Sequence, residues 1–126
     1  ASALSIFALS LVFRLEHVHY VTLLPKSITT AIGMGVSEEA GGIVTLTVVS
    51  IIITGILGNI IAETLFKAAR ITHPIAKGLA LGTSAHAIGT AKALEIGEIE
   101  GAMSSLAIAV AGLMTVLVVP VVSGLI

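Results

Sequence analysis

AGGIVTLTVVSIIITGILGNIIA, residues 40–62, runs for 23 residues without a charged side chain. As a helix rising 1.5 Å per residue it is roughly 35 Å long, enough to cross a hydrocarbon core of about 30 Å. A second stretch, AMSSLAIAVAGLMTVLVVPVVSGLI at 102–126, is uncharged for 25 residues. Helices buried in soluble cores are rarely so long and so free of charge, so both stretches read as transmembrane helices.

The rest of the composition agrees. The chain has 126 residues, of which 56% are hydrophobic and 10% charged, and its mean hydropathy is +1.16. A soluble domain typically carries about 25% charged residues to cover its surface. Six basic and seven acidic side chains suffice only for loops outside a lipid-facing bundle. The net charge of −1 gives no electrostatic footprint for nucleic acid. The absence of cysteine excludes disulfides, thiolate metal sites and cysteine nucleophiles. With only Phe7, Phe13, Tyr20 and Phe66 aromatic, anchoring at the interface falls to Lys and Arg rather than to a Trp/Tyr belt. Residues 1–13 are apolar and lack the basic start of a signal peptide. They read as the end of a spanning helix that begins outside this sequence, which makes the chain a piece of a longer protein.

Beside the long stretches lie two short ones, SITTAIGMGVS (27–37) between Lys26 and Glu38, and GLALGTSAHAIGTA (78–91) between Lys77 and Lys92. They are too short to span unaided and rich in Gly, Ser and Thr, which weaken a regular helix. Such segments survive at membrane depth where protein or a watery cavity satisfies the backbone, so they are expected to be broken or re-entrant. Their order suggests a repeat: Pro25, Ala31-Ile32-Gly33, Glu38-Glu39 and 40–62, then Pro74, Ala87-Ile88-Gly89, Glu95-Glu98-Glu100 and 102–126. Paired broken segments at corresponding positions point to a transporter binding site. The expected fold is therefore all-α, a single polytopic membrane domain with five embedded segments, counting the truncated first helix. The linker 63–77, with Lys67, Arg70 and Lys77 against Glu63, is expected to be cytoplasmic.

Candidate binding residues fall in the short segments. On a regular helix Thr83, His86 and Thr90 share one face, with Gly82 and Gly89 beside it to admit a ligand or another backbone. An ionisable residue inside a membrane segment is a functional candidate, and histidine can relay a proton near neutral pH. In the first segment Lys26, Ser27, Thr29 and Thr30 follow Pro25, which suits a first helical turn whose free N–H groups attract anions. Competing structural readings are that Lys26, Lys77 and Lys92 snorkel to the interface and that the hydroxyls cap a helix. Asn59 is expected to make an interhelical hydrogen bond, and Ser50, Thr54 and Gly58 to form a packing stripe. His17 and His19 flank Val18 in a short polar linker, and their spacing is weak as a metal signal. H-E-x-x-H, G-x-S-x-G and the P-loop are absent, so no catalytic residue, metal or cofactor is assigned.

The strings LLPKSITTAIGMGVSEEAGGI (23–43), ITGILG (53–58) and HPIAKGLALGTSAHAIGTAKALEIGEIEGAMSSLAIAVAGL (73–113) resemble the LrgB/CidB family. That family includes bacterial antiholin-like proteins and the plastid glycolate/glycerate translocator. The likeness covers nearly all of the chain after residue 20, as the C-terminal half of a longer member. Ala31 departs from it, since many relatives carry proline after the two threonines. The resemblance implies a multi-pass protein of the bacterial inner membrane, or of the plastid envelope in a plant. One implied function is a carrier of small monocarboxylates of the glycolate, glycerate or pyruvate class. The alternative is an antiholin-like modulator of murein hydrolase export and autolysis, acting with an LrgA/CidA-like partner; a homo-oligomer is expected under either reading. The two polar segments favour the carrier, with Lys26, Ser27, Thr29, Thr30, Thr83, His86 and Thr90 lining one carboxylate site.

Overall fold

Six α-helices, and no strand, form among the residues that the computed structural model describes, 2–125. They are α1 (Ser2–Phe13), α2 (His17–Leu23), α3 (Thr30–Glu39), α4 (Val44–Ala68), α5 (Pro74–Ile96) and α6 (Glu98–Ser123). The two uncharged stretches supply α4 and α6, which are long and apolar enough to cross a membrane. Only 17% of the most apolar part of α4 and 22% of that of α6 is buried. Ile60, Leu113 and Val121 all lie exposed. A core helix of a soluble protein hides such residues; apolar helices that turn them outward face lipid or other protein.

Several boundaries differ from the sequence expectation. Residues 40–43 do not join α4, because the chain turns there. Gly41 takes a φ of +81°, and Gly42 N–H donates to Ser37 O at 2.7 Å, which closes the end of α3. α4 instead runs on past Glu63 to Ala68, so the basic linker shrinks to residues 69–73. His17 and His19 sit in α2 rather than in a linker, because Tyr20, Val21 and Thr22 bury the second half of that seven-residue helix. The acidic run 95–100 lies within helices except at one residue. Gly97 alone separates α5 from α6, and Glu98 and Glu100 enter the first turn of α6, where the helix dipole favours them.

The chain divides into two compact units, one holding residues up to Ile52 together with those from Gly112 onward, the other Ile53–Ala111. In the first, α1 packs on α2, and Ile6, Tyr20, Val21, Leu24, Val36 and Val119 form the core. Phe7 meets the Tyr20 ring edge-on, and the Tyr20 hydroxyl donates to Val122 O at 2.7 Å. A set of buried hydroxyls ties α2, α3 and α4 together. Thr47 Oγ1 lies 2.9 Å from Thr22 O and 2.7 Å from Ser37 Oγ, while Thr22 Oγ1 accepts from Ile43 N–H at 2.8 Å.

In the second unit Ala62, Phe66, Leu81 and Ala93 form the apolar centre. Here α5 meets α6 through small residues: a Cβ at Gly78 would strike Glu100 O, and one at Gly82 would strike Ser104 O. In a membrane such close backbone approach supplies the packing that the hydrophobic effect cannot.

The expected repeat pairs Pro25 with Pro74, but Pro25 lies between α2 and α3 whereas Pro74 opens α5, so the two prolines do not hold the same place. In each copy Ala-Ile-Gly opens the helix that follows a break, at Thr29 in one and at His86 in the other. The tight neighbour differs, however: a Cβ at Gly33 would strike the Ile51 side chain, and one at Gly89 would strike Leu81 O.

Candidate functional site at the His86 helix break

Helix α5 begins with His73 as its N-cap, whose side chain accepts from Ile75 N–H, and with Pro74 at its first position. Its interior is interrupted at His86, where φ is +43° and ψ is −131°. A side chain at such a φ costs of order 1–3 kcal/mol, and backbone of this kind concentrates at functional sites. The second short segment is therefore broken as expected, and the break falls on the ionisable residue itself.

His86 is only 3% exposed. Its ring lies against Gly55 of α4, where a Cβ would stand 2.8 Å from Cε1 and 3.1 Å from Nε2, so only glycine leaves room for the imidazole. Side chains bond the backbone at and just after the break. Thr90 Oγ1 donates to His86 O at 3.0 Å and lies 2.7 Å from Ser104 Oγ of α6. Asn59 Nδ2 of α4 donates to Ile88 O at 3.3 Å, the interhelical bond expected of it. Three helices thus fix the break, and Ser104, fully buried, is the member that sequence reading missed. Nothing in the sequence pairs position 104 with position 90.

The expected face of Thr83, His86 and Thr90 is not formed. The break removes the regular spacing between His86 and Thr90. Thr83 lies exposed, with its hydroxyl turned back to Leu79 O at 2.7 Å. Gly82 and Gly89 do admit a close neighbour, but in both cases it is backbone. A cavity of about 340 Å³ lies nearby, lined by Thr54, Gly58, Ala62, Leu81 and Ser84 among others. The Ser84 hydroxyl donates to Ala80 O at 2.6 Å, so it serves the helix rather than the cavity. Lys92 does not snorkel free. It pairs with Glu63 at 2.7 Å and Glu95 at 3.6 Å.

Lys26, Ser27, Thr29 and Thr30 belong to the first unit. Pro25 is not in a first helical turn: α2 ends at Leu23, and the N–H groups of Lys26 and Ile28 donate to Leu23 O and Pro25 O. The helix starts at Thr30, with Thr29 as N-cap but without a capping side-chain bond. The break is present although position 31 is alanine. Lys26 Nζ bonds Ser27 Oγ at 3.2 Å, and Ser2 Oγ bonds the same oxygen at 3.0 Å. Burial holds the Lys26 ammonium below the usual lysine value.

Comparison with known proteins assigns the chain to a family. The sequence pattern of the LrgB-like family matches residues 1–125. The chain belongs to the LrgB-like family. Antiholin-like protein LrgB of Bacillus cereus (strain B4264) is 40% identical over 119 residues, covering 94% of this chain and 52% of that protein. Antiholin-like protein LrgB of Bacillus anthracis (strain CDC 684 / NRRL 3495) shows the same identity and coverage. This LrgB-like chain spans about half the length of the curated relatives it matches. No solved structure matches it. Family and apolar helices together make it a membrane protein.

Proposed function

We infer that the protein acts as an antiholin-like membrane protein, modulating murein hydrolase export and autolysis at the bacterial inner membrane with a small LrgA/CidA-like partner. The observation that carries this reading is the 40% identity, over 94% of the chain, to proteins named antiholin-like. It displaces the carrier from first place. The LrgB-like chain would supply the membrane-embedded contact surface, and its exposed apolar residues on α4 and α6 suit packing against lipid or a small helical partner.

The carrier of small monocarboxylates is the second reading, favoured by one observation. A helix broken at a buried histidine, in a Gly/Thr-rich segment with a matching break elsewhere in the chain, is the arrangement in which transporters hold substrate. In that reading His86 supplies a proton or a hydrogen bond, and Thr90 holds the break open.

Two measurements separate the readings. A strain lacking its own LrgB-like protein is complemented with the protein carrying this chain, and detergent-induced lysis is followed. Purified protein in liposomes is tested for uptake of labelled glycolate, glycerate and pyruvate, wild type against His86→Ala. The antiholin-like reading expects wild-type lysis control and no uptake above empty liposomes. Uptake that falls at least tenfold in His86→Ala establishes the carrier instead. Lysis unchanged by complementation sinks the first reading.

A further inference from the structure

Away from the His86 break, the second unit contains a cavity of about 670 Å³ at the end of α4 and the start of α5, within the size range of small-ligand sites. Lys67, Arg70 and Lys77 line it, with Thr72 and the apolar residues Phe66 and Ile96. The one acid on its wall, Glu63, is already engaged by Lys92 at 2.7 Å, so the cavity carries an excess of positive charge. Lys77 Nζ stands 5.9 Å over the Phe66 ring, which places a cation above an apolar floor.

Arg70 is the most informative member. It sits at φ +55° after the end of α4, where Ile71 N–H donates to Phe66 O at 2.8 Å to close the helix. Glycine adopts this conformation without cost, whereas a side chain does so at a cost. The turn itself needs no guanidinium. A planar fork of donors at this position matches a phosphate or carboxylate.

We propose that this cavity is a binding site for a phosphate-type oxyanion, held between Lys67, Arg70 and Lys77, with its attached apolar or glycerol portion against Phe66 and Ile96. Two sources share this chemistry: the headgroup of an anionic phospholipid and a free phosphate ester. A basic recess beside a membrane helix end is suited to an anionic headgroup.

The test uses the full protein purified in a neutral detergent. Native mass spectrometry measures retention of short-chain phosphatidylglycerol against phosphatidylcholine, and calorimetry measures binding of glycerol phosphate and inorganic phosphate. Retention of phosphatidylglycerol over phosphatidylcholine without glycerol phosphate binding assigns the site to lipid; glycerol phosphate binding as well assigns it to the free anion. In either case Lys67→Gln combined with Lys77→Gln weakens binding by roughly fivefold per charge removed. Arg70→Gly is expected to keep or raise the melting temperature while weakening binding about fivefold, which a merely structural arginine would not do. Failure to bind any of these anions, or equal binding by wild type and both variants, overturns the proposal.

Discussion

The first broken segment leaves the helix from Leu24 to Thr29, whereas the second turns at the single residue His86. The longer break bonds its own backbone, through Lys26 N–H to Leu23 O and Ile28 N–H to Pro25 O. Neighbouring hydroxyls, Thr22, Ser37 and Thr47, hold its flanking helices. The shorter break has no room for turns of its own, so side chains from α4 and α6 serve it, and the backbone carries a positive φ at a bulky residue. The two short segments therefore interrupt their helices by different means. The first is spread out and relaxed; the second is concentrated and strained, and its ionisable group lies at the point of strain.

The strongest way to break the contrast is Gly55→Val. Its side chain would enter the space of the His86 ring, and overpacking of this kind costs about 3 kcal/mol. Thermal unfolding in detergent is expected to show a large drop in melting temperature. A variant that unfolds like wild type would mean that the ring is not confined.

Thr47→Val probes the other break. It removes a fully buried hydroxyl that serves both Thr22 O and Ser37 Oγ, at an expected cost of about 2 kcal/mol. If hydroxyls hold the first segment as argued, hydrogen exchange should rise in α2 and α3 while α5 stays protected. Equal loosening of α5 would show that the two breaks are not held separately.

The smallest effect is expected at Gly35, in the interior of α3, where a Cβ would meet nothing within 4 Å. Gly35→Ala should raise stability by about 0.5–1 kcal/mol through helix propensity alone. The opposite sign at two glycines of one chain, Gly35 and Gly55, would distinguish a propensity effect from close packing. A loss at Gly35 would place an unseen neighbour against α3.

Much of the fold was legible in the residues. α4 and α6 follow from uncharged length, and Asn59 was identified as a cross-helix donor because an amide in an apolar helix has few other partners. The position of the second break was not legible. Positive φ normally falls on glycine, and Gly82 and Gly89 both lie close to His86. Yet Gly82 is occupied by the approach of Ser104 O and Gly89 by that of Leu81 O, so the turn falls on His86 between them. Thr83 was grouped with His86 by a helical spacing that assumes an unbroken helix. The hydroxyl set of Thr22, Ser37 and Thr47 escaped notice because each residue is ordinary where it stands in the chain.

By itself the sequence determined that this protein lives in a membrane, that it is helical, and that two polar segments interrupt its apolar helices. Those properties are sums over local residues: charge, length and propensity add along the chain whatever the partners are. Tertiary structure alone decided which hydroxyls meet, that Gly55 makes room for His86, and that three basic residues of a linker and two helix ends line one cavity. Such properties depend on pairs of residues far apart in sequence, and only packing brings those pairs together.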